Sequence, residues 1–383
     1  IKRRRMRKVM EKMKKFIECL IPVTKCNIRC SYCYVIQENR REGIIPELDY
    51  DLDTMQKAMT KERFGGTCYF SLCGAGETLI PEYVIDIAYR LLENGHYVNI
   101  TTNGTLSKRF DQVIERFPQE FLNRLHFAFS FHYLELKRLK AIDRFFDNVD
   151  KVRKNGCSFV VQINMCDEYY PYLDEIKKVC MERVQALPQV AVTRKETKYP
   201  QMQIDLYTEK TEEEYIRNGR SFDSPLFEYT LKNFKKKRKE FCYAGDWAYQ
   251  LNLKTGLLKR CYCSCVVQNI FKDINKPIFT CAVGKYCNSD YCFNSSHFIS
   301  LGLIPEIEGP SYADLRNRES AGWYQENMKV FLSGKLSDTN PQYGFGKRLK
   351  TGMAGIYDKI AYQMYLKLLT FLNRRKEKRN CED

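Results

Sequence analysis

Apolar runs with β-rich character alternate with stretches of helical spacing along the first half of the chain. Residues 16–24 form an apolar run that predicts a strand entering a cysteine-containing loop. Residues 67–72 (Thr-Cys-Tyr-Phe-Ser-Leu) predict a second strand, which ends in Cys73-Gly74-Ala75-Gly76-Glu77. A helical pattern follows over 81–92. Tyr97–Thr102 predicts a third strand ending in Asn103-Gly104, with a helix over 107–117. Residues 125–132 and 158–165 predict two further strands, followed by a long amphipathic stretch over 134–155 and a helix over 172–184 respectively. Residues 202–207 predict a last strand. Strands alternating with helices imply parallel βαβ units, and in barrels of such units the chemistry sits at the carboxyl ends of the strands.

The 383 residues are 44% hydrophobic and 29% charged, enough for a core of their own and unlike a disordered chain. No run reaches the ~20 apolar residues of a membrane span, and the basic N-terminus lacks the apolar core of a secretory signal. The expected setting is therefore cytoplasmic. Sixty-three Lys and Arg against 47 Asp and Glu give a net charge of +16. That excess is concentrated at 1–15 (nine basic residues, one acid), 231–241 (six and one) and 374–379 (five and one). The rest of the chain is close to neutral, which argues against a nucleic-acid-tracking surface. Residues 3–16 can form a basic helix, and 356–372 is helical in pattern and runs into Arg374-Arg375-Lys376. Such ends can lie on an anionic membrane surface or grip a partner, or simply keep their charges in water.

Seventeen cysteines change the picture most. Reducing compartments keep thiols free, so metal is the better reading where spacings agree. Cys26-Asn-Ile-Arg-Cys30-Ser-Tyr-Cys33 places three thiols within eight residues. Zinc takes four ligands, commonly as two separated pairs. Three crowded cysteines suit an iron–sulfur cube with one iron left for another ligand. The competing readings are buried free thiols, or zinc completed from elsewhere in the chain. His96, His126 and His297 have no paired spacing for metal and read as structural.

The CxxxCxxC spacing of Cys26, Cys30 and Cys33, with Tyr32 before the third cysteine, resembles the radical S-adenosylmethionine (SAM) superfamily. The resemblance implies a partial (β/α)6 TIM-like barrel and a [4Fe-4S] cluster whose open iron chelates SAM. It also implies reductive cleavage of SAM, by an electron from a donor such as flavodoxin or ferredoxin, to a deoxyadenosyl radical that takes hydrogen from a substrate carbon. Ala75-Gly76-Glu77 resembles the family's Gly-Gly-Glu segment, which contacts the SAM amino group, with alanine in place of the first glycine. By the same resemblance Asn103 and Ser130 are cofactor-binding candidates, and His132 a weaker one. Gln162 and Asn164 alternate on one strand and could face the same site or a polar core.

The second half carries Cys242, Gly256 and Cys261 at a spacing that resembles the opening of the SPASM/Twitch auxiliary-cluster extension, with hairpin strands over 247–253 and 257–260. The resemblance implies one auxiliary [4Fe-4S] cluster on Cys242, Cys261, Cys287 and Cys292, with Cys281 as rival ligand; zinc on the same cysteines stays open. The full SPASM pattern is not met: its CxxC is absent, and the gap between Cys287 and Cys292 is four residues. Cys263 and Cys265 stay unassigned. The expected division is a basic helix (1–15), the barrel (16–225), the auxiliary domain (226–310) and a helical extension (311–383). Relatives with this extension mostly modify ribosomal peptides, which makes a peptide the expected substrate. The alternative is dehydrogenation or epimerisation of a small carbohydrate-like or lipid-linked alcohol, favoured by the short run before Cys26, which leaves no room for a leader-binding domain. A non-catalytic Fe–S or zinc module is the reading from a different class.

Overall fold

The computed structural model describes residues 11–38, 40–196, 204–289 and 291–379, with backbone alone at 196 and 373–379. Six parallel strands run side by side: β1 (Lys15–Ile21), β2 (Cys68–Gly74), β3 (Tyr97–Thr102), β4 (Leu125–Ser130), β5 (Ser158–Asn164) and β6 (Gln189–Ala191). Parallel pairing needs a crossover, and helices supply it between successive strands, among them Tyr83–Glu93, Ser107–Arg116, Ile142–Lys154 and Leu173–Val184. Tyr83–Glu93 buries Val84, Ile85, Ile87, Ala88, Leu91 and Leu92, the stripe that its helical spacing dictates. The strands are buried on both faces, hence their near-continuous apolar sequence. The expected α/β fold, a partial TIM-like barrel, is what the chain forms.

Several boundaries differ from expectation. The sixth parallel strand is Gln189–Ala191, too short to stand out as a pattern. The strand expected over 202–207 pairs elsewhere: β7 (Arg194–Glu196) and β8 (Ile204–Leu206) form a separate antiparallel ribbon, and Met202 lies outside the described residues. The stretch over 134–155 breaks into Tyr133–Arg138 and Ile142–Lys154, because Lys140 takes a left-handed φ of 51° between them. Of the basic helix expected at 3–16, residues 1–10 lie outside the described residues; residues 11–14 are not helical, and Lys15 opens β1.

On the other side of β1 the sheet continues through β9 (Ala248–Asn252), parallel to β1, then β10 (Leu257–Lys259) and β11 (Val266–Asn269), both antiparallel. The expected hairpin is therefore welded onto the barrel sheet. Gly256 makes its turn with φ +71°, and a Cβ there would stand 2.7 Å from the Phe271 ring. The segment from 311 splits into two parts. Its first part covers the amino ends of the strands. There Trp323 packs on Phe159, Phe331 stacks on Tyr97 at 3.7 Å, and Gln325 N donates to Ser158 Oγ. Its second part is one long helix, Phe345–Arg379.

Candidate functional site

β1 delivers the chain to the cysteine loop at the carboxyl end of the barrel. Cys26, Cys30 and Cys33 line one cavity of about 200 Å³. Tyr32, Gly76, Glu77, Asn103 and Ser130 line the same cavity, contributed by the loop and by the ends of β2, β3 and β4. His132, Cys73 and Asn164 also line it; Gln162 is not among its lining residues. The expected first-site residues thus come together from four separate segments.

Hydrogen bonds fix these side chains against one another. Gly76 N donates to Val23 O (2.6 Å) and Glu77 N to Lys25 O (2.9 Å), so the Ala75-Gly76-Glu77 turn lies directly on the cysteine loop. A Cβ on Gly76 would sit 2.1 Å from Lys25 O, so only glycine allows this approach. Glu77 is buried; its Oε1 accepts from Thr102 Oγ1 (2.6 Å) and Leu79 N (3.1 Å), and its Oε2 from Asn103 N (2.7 Å). Burial nevertheless raises its carboxyl pKa above the usual value. Asn103 Nδ2 donates to Asn27 Oδ1 (2.8 Å), and Asn27 Nδ2 to Thr105 Oγ1 (2.8 Å), tying the loop to the end of β3. Tyr32 OH shares hydrogen bonds with His132 Nδ1 (2.7 Å) and Tyr169 OH (3.0 Å). Burial lowers the His132 pKa to about 4, so its ring is neutral at pH 7 and serves as Tyr32's partner.

The loop thiols are partly or wholly buried, and burial raises the pKa of Cys26 and Cys30, with the neighbouring thiols adding to it. Three cysteines lining one cavity with Gly76, Glu77 and Asn103 fit, by the chemistry of that donor set, an iron–sulfur cluster with an adjacent polar ligand. Among the described residues, no group of three or more His, Cys, Asp or Glu side chains is gathered as for a single metal ion.

The second set of cysteines lies around the hairpin. Burial is the main cause of the raised pKa of Cys242, and the next charges acting on it come from Cys287 and Cys292. Cys261 feels Cys287, Cys292 and Cys242 in the same way. The four expected positions therefore share one neighbourhood, which Cys242 enters through paired backbone hydrogen bonds with Gly284 (3.1 and 2.9 Å). Cys263 borders the group, feeling Cys287 and Cys292. Cys281 Sγ lies 4.0 Å from Arg260 Nη1, beside the residue that precedes Cys261, and Cys265 feels Asp358, Lys259 and Arg260.

Glu18 on β1 belongs to no sequence motif, yet it stands between the two cysteine regions. It is half-buried with its Oε2 shut off from solvent, and the loss of hydration raises its pKa to about 7. Its Oε1 accepts from Asn294 Nδ2 (3.2 Å), Tyr262 also bonds to it, and its Oε2 has no hydrogen-bond partner. It acts electrostatically on Cys73, which lines the cavity, and on Cys292 of the second group. The one signal in the sequence is a lone acid inside a strand that is otherwise apolar and buried. Two other acids prove structural in their contacts: Asp246 pairs with Lys15 (3.3 Å) and accepts from Tyr343 OH (2.5 Å), while Glu168 accepts from Ser31 Oγ (2.7 Å). His96 and His126 are buried within core hydrogen bonds, as expected.

Residues 20–180 match the family model of the radical SAM superfamily. No curated protein shows significant similarity to the chain. Among solved structures, Streptococcus suis SuiB bound to S-adenosylmethionine is similar at 14% identity and a TM-score of 0.46, covering 69% of this chain and 66% of that one. The chain thus spans just under two thirds of SuiB. Native anSMEcpe with bound AdoMet is similar at 15% identity and a TM-score of 0.44, covering 69% and 80%. BtrN in complex with AdoMet and 2-DOIA is similar at 14% identity and a TM-score of 0.33, covering 86% and 92%. With the family's motif placed in one cavity and the family model matched over 20–180, the chain carries a radical SAM domain, of a superfamily that works with a [4Fe-4S] cluster and SAM.

Proposed function

We propose that the enzyme carries out a two-electron oxidation of a peptide substrate, using a second cluster on Cys242, Cys261, Cys287 and Cys292. The observation that carries this reading is the mutual electrostatic influence of those four thiols, two of which, Cys242 and Cys261, flank a hairpin continuous with β1. When bound, the first cluster and SAM supply a hydrogen-abstracting radical, and the second cluster supplies an acceptor for the electron left on the substrate.

The chain's own residues hold and orient. Cys26, Cys30 and Cys33 would ligate the first cluster, with Asn27 and Asn103 fixing the loop. Gly76 and the Glu77 turn form the wall where the SAM amino group would lie, while Ser130 and Asn164 line the cavity at the ends of β4 and β5. Tyr32 and His132 fix the loop to the end of β4. Oxidation of a carbon–hydrogen bond leaves one proton to be removed. Glu18 does not line the cavity, but its Oε2 is shut off from solvent and without a hydrogen-bond partner, and we assign it to hold that proton after the proton has left the cavity.

The peptide class rests on the resemblance of the Cys242–Gly256–Cys261 segment to the SPASM extension, and the electron is expected from a flavodoxin- or ferredoxin-type donor. The test replaces Cys242 and Cys261 with Ala and follows deoxyadenosine and product together. The reading expects deoxyadenosine release to persist with product lost. Product formation at wild-type yield would remove the acceptor role. Deoxyadenosine release stimulated by sugar alcohols and not by peptides would move the substrate to the carbohydrate-like class.

A further inference from the structure

The helix Phe345–Arg379 is docked by one narrow stripe and turns its apolar side outward. Thr351 and Tyr362 are buried, Gly355 lies against Tyr286, and Asp358 pairs with Arg260 at 2.5 Å. Positions 351, 355, 358 and 362 are spaced four, three and four apart, which is one side of an α-helix. On the opposite side stand Leu349, Met353, Ile356, Ile360, Met364 and Leu368, spaced four, three, four, four and four apart, with exposures of 47–66% among the described residues. A helix that merely packed on the body would bury that stripe. Here it faces out over roughly 28 Å of helix, at 1.5 Å per residue.

Charge decides what covers it. Residues 345–379 carry ten Lys and Arg against two acids, and Asp358, one of those two, is spent on Arg260. Lys350, Lys359 and Lys367 are exposed along the same helix. A second copy would set one net +8 helix against another. Residues 1–10 carry six Lys and Arg and no acid, again the same sign. The helix is not apolar enough to cross a bilayer. An apolar stripe with basic flanks matches one partner well: the interface of an anionic bilayer, where the stripe enters the acyl boundary and the lysines meet lipid phosphates.

We propose that Phe345–Arg379 is a surface anchor that lays the enzyme on an anionic membrane. This does not depend on the reaction assigned above. The test uses the full chain, purified anaerobically, in flotation with vesicles of phosphatidylcholine alone or mixed with phosphatidylglycerol. The wild type is expected to float with the anionic vesicles, at least tenfold more than with phosphatidylcholine, and to be released as salt rises. Met353→Glu with Ile360→Glu should abolish flotation, and Lys350→Gln with Lys359→Gln and Lys367→Gln should erase the lipid preference. Both variants should keep deoxyadenosine release at the wild-type rate, since the altered side chains are exposed. Failure of the wild type to float, or equal flotation of wild type and Met353→Glu/Ile360→Glu, overturns the proposal. So does sedimentation showing a wild-type dimer that these glutamates split, which would assign the stripe to a second copy.

Discussion

Gly76 shows how one missing methyl group sets the geometry of the site. Any Cβ there would collide with the Lys25 carbonyl, and the turn carrying Glu77 would have to leave the cysteine loop. Gly76→Ala should cost about 1–3 kcal/mol of stability through this overpacking. It should also lower the iron content, measured by thermal unfolding and iron assay on anaerobically reconstituted protein; a variant with unchanged Tm and full iron would contradict the packing account. Glu18 makes a second residue-scale prediction. Its folded carboxyl keeps its proton up to about pH 7, against an ordinary value of 4.5. The folded chain therefore binds the extra proton between those values. The associated stability is full below the lower value and is lost as pH rises through about 7. Glu18→Gln cannot ionise, so its stability relative to wild type should climb between about pH 5 and pH 8. Parallel denaturation curves across that range would refute the assignment. The motif residues are readable because the chemistry needs particular residue types at fixed spacing. Glu18 is not, since its meaning comes from Tyr262 and Asn294, which reach it from more than 240 positions away.

At the scale of elements, the hairpin is the joint between barrel and second cysteine group. β9 pairs with β1, from Phe16 opposite Ala248 to Leu20 opposite Asn252, so one sheet supports both cysteine regions. Gly256→Val would force a β-branched residue into a left-handed turn, at about 1–2 kcal/mol, and onto Phe271. We expect it to strip iron from the second group while leaving SAM-dependent deoxyadenosine release in place; loss of both together would mean the sites are not separable in this way. The Arg260–Asp358 pair, almost fully buried on the arginine side, fastens the long helix. Asp358→Ala should cost about 3–5 kcal/mol by leaving Arg260 uncompensated, and faster hydrogen exchange over 345–372 would report it. Unchanged exchange would show that the helix is held by other contacts. The long apolar strands and their helices are legible in the sequence because burial on both faces leaves a strong pattern. The three-residue β6 and the ribbon of β7 and β8 are not, because elements that short carry no periodicity and are set by neighbours.

Over the whole molecule, the segment that follows 311 packs back on the barrel before its long helix begins. Tyr312, Trp323 and Phe331 join the barrel core, and Asn340 Nδ2 donates to Lys14 O (2.8 Å), so the chain returns to its own first strand before the long helix leaves. Sequence separates segments by composition, whereas packing joins them by surface, which is why this return has no signature. The account's central claim is that Cys26, Cys30 and Cys33 hold a cluster with one iron open to SAM. Anaerobic reconstitution followed by a deoxyadenosine assay under dithionite tests it most directly. The wild type should bind about eight irons, as expected for two four-iron clusters, and release deoxyadenosine; the triple Cys→Ala variant at 26, 30 and 33 should bind about half the iron and release none. Zinc in place of iron at these cysteines, or deoxyadenosine release that survives the triple variant, would contradict it.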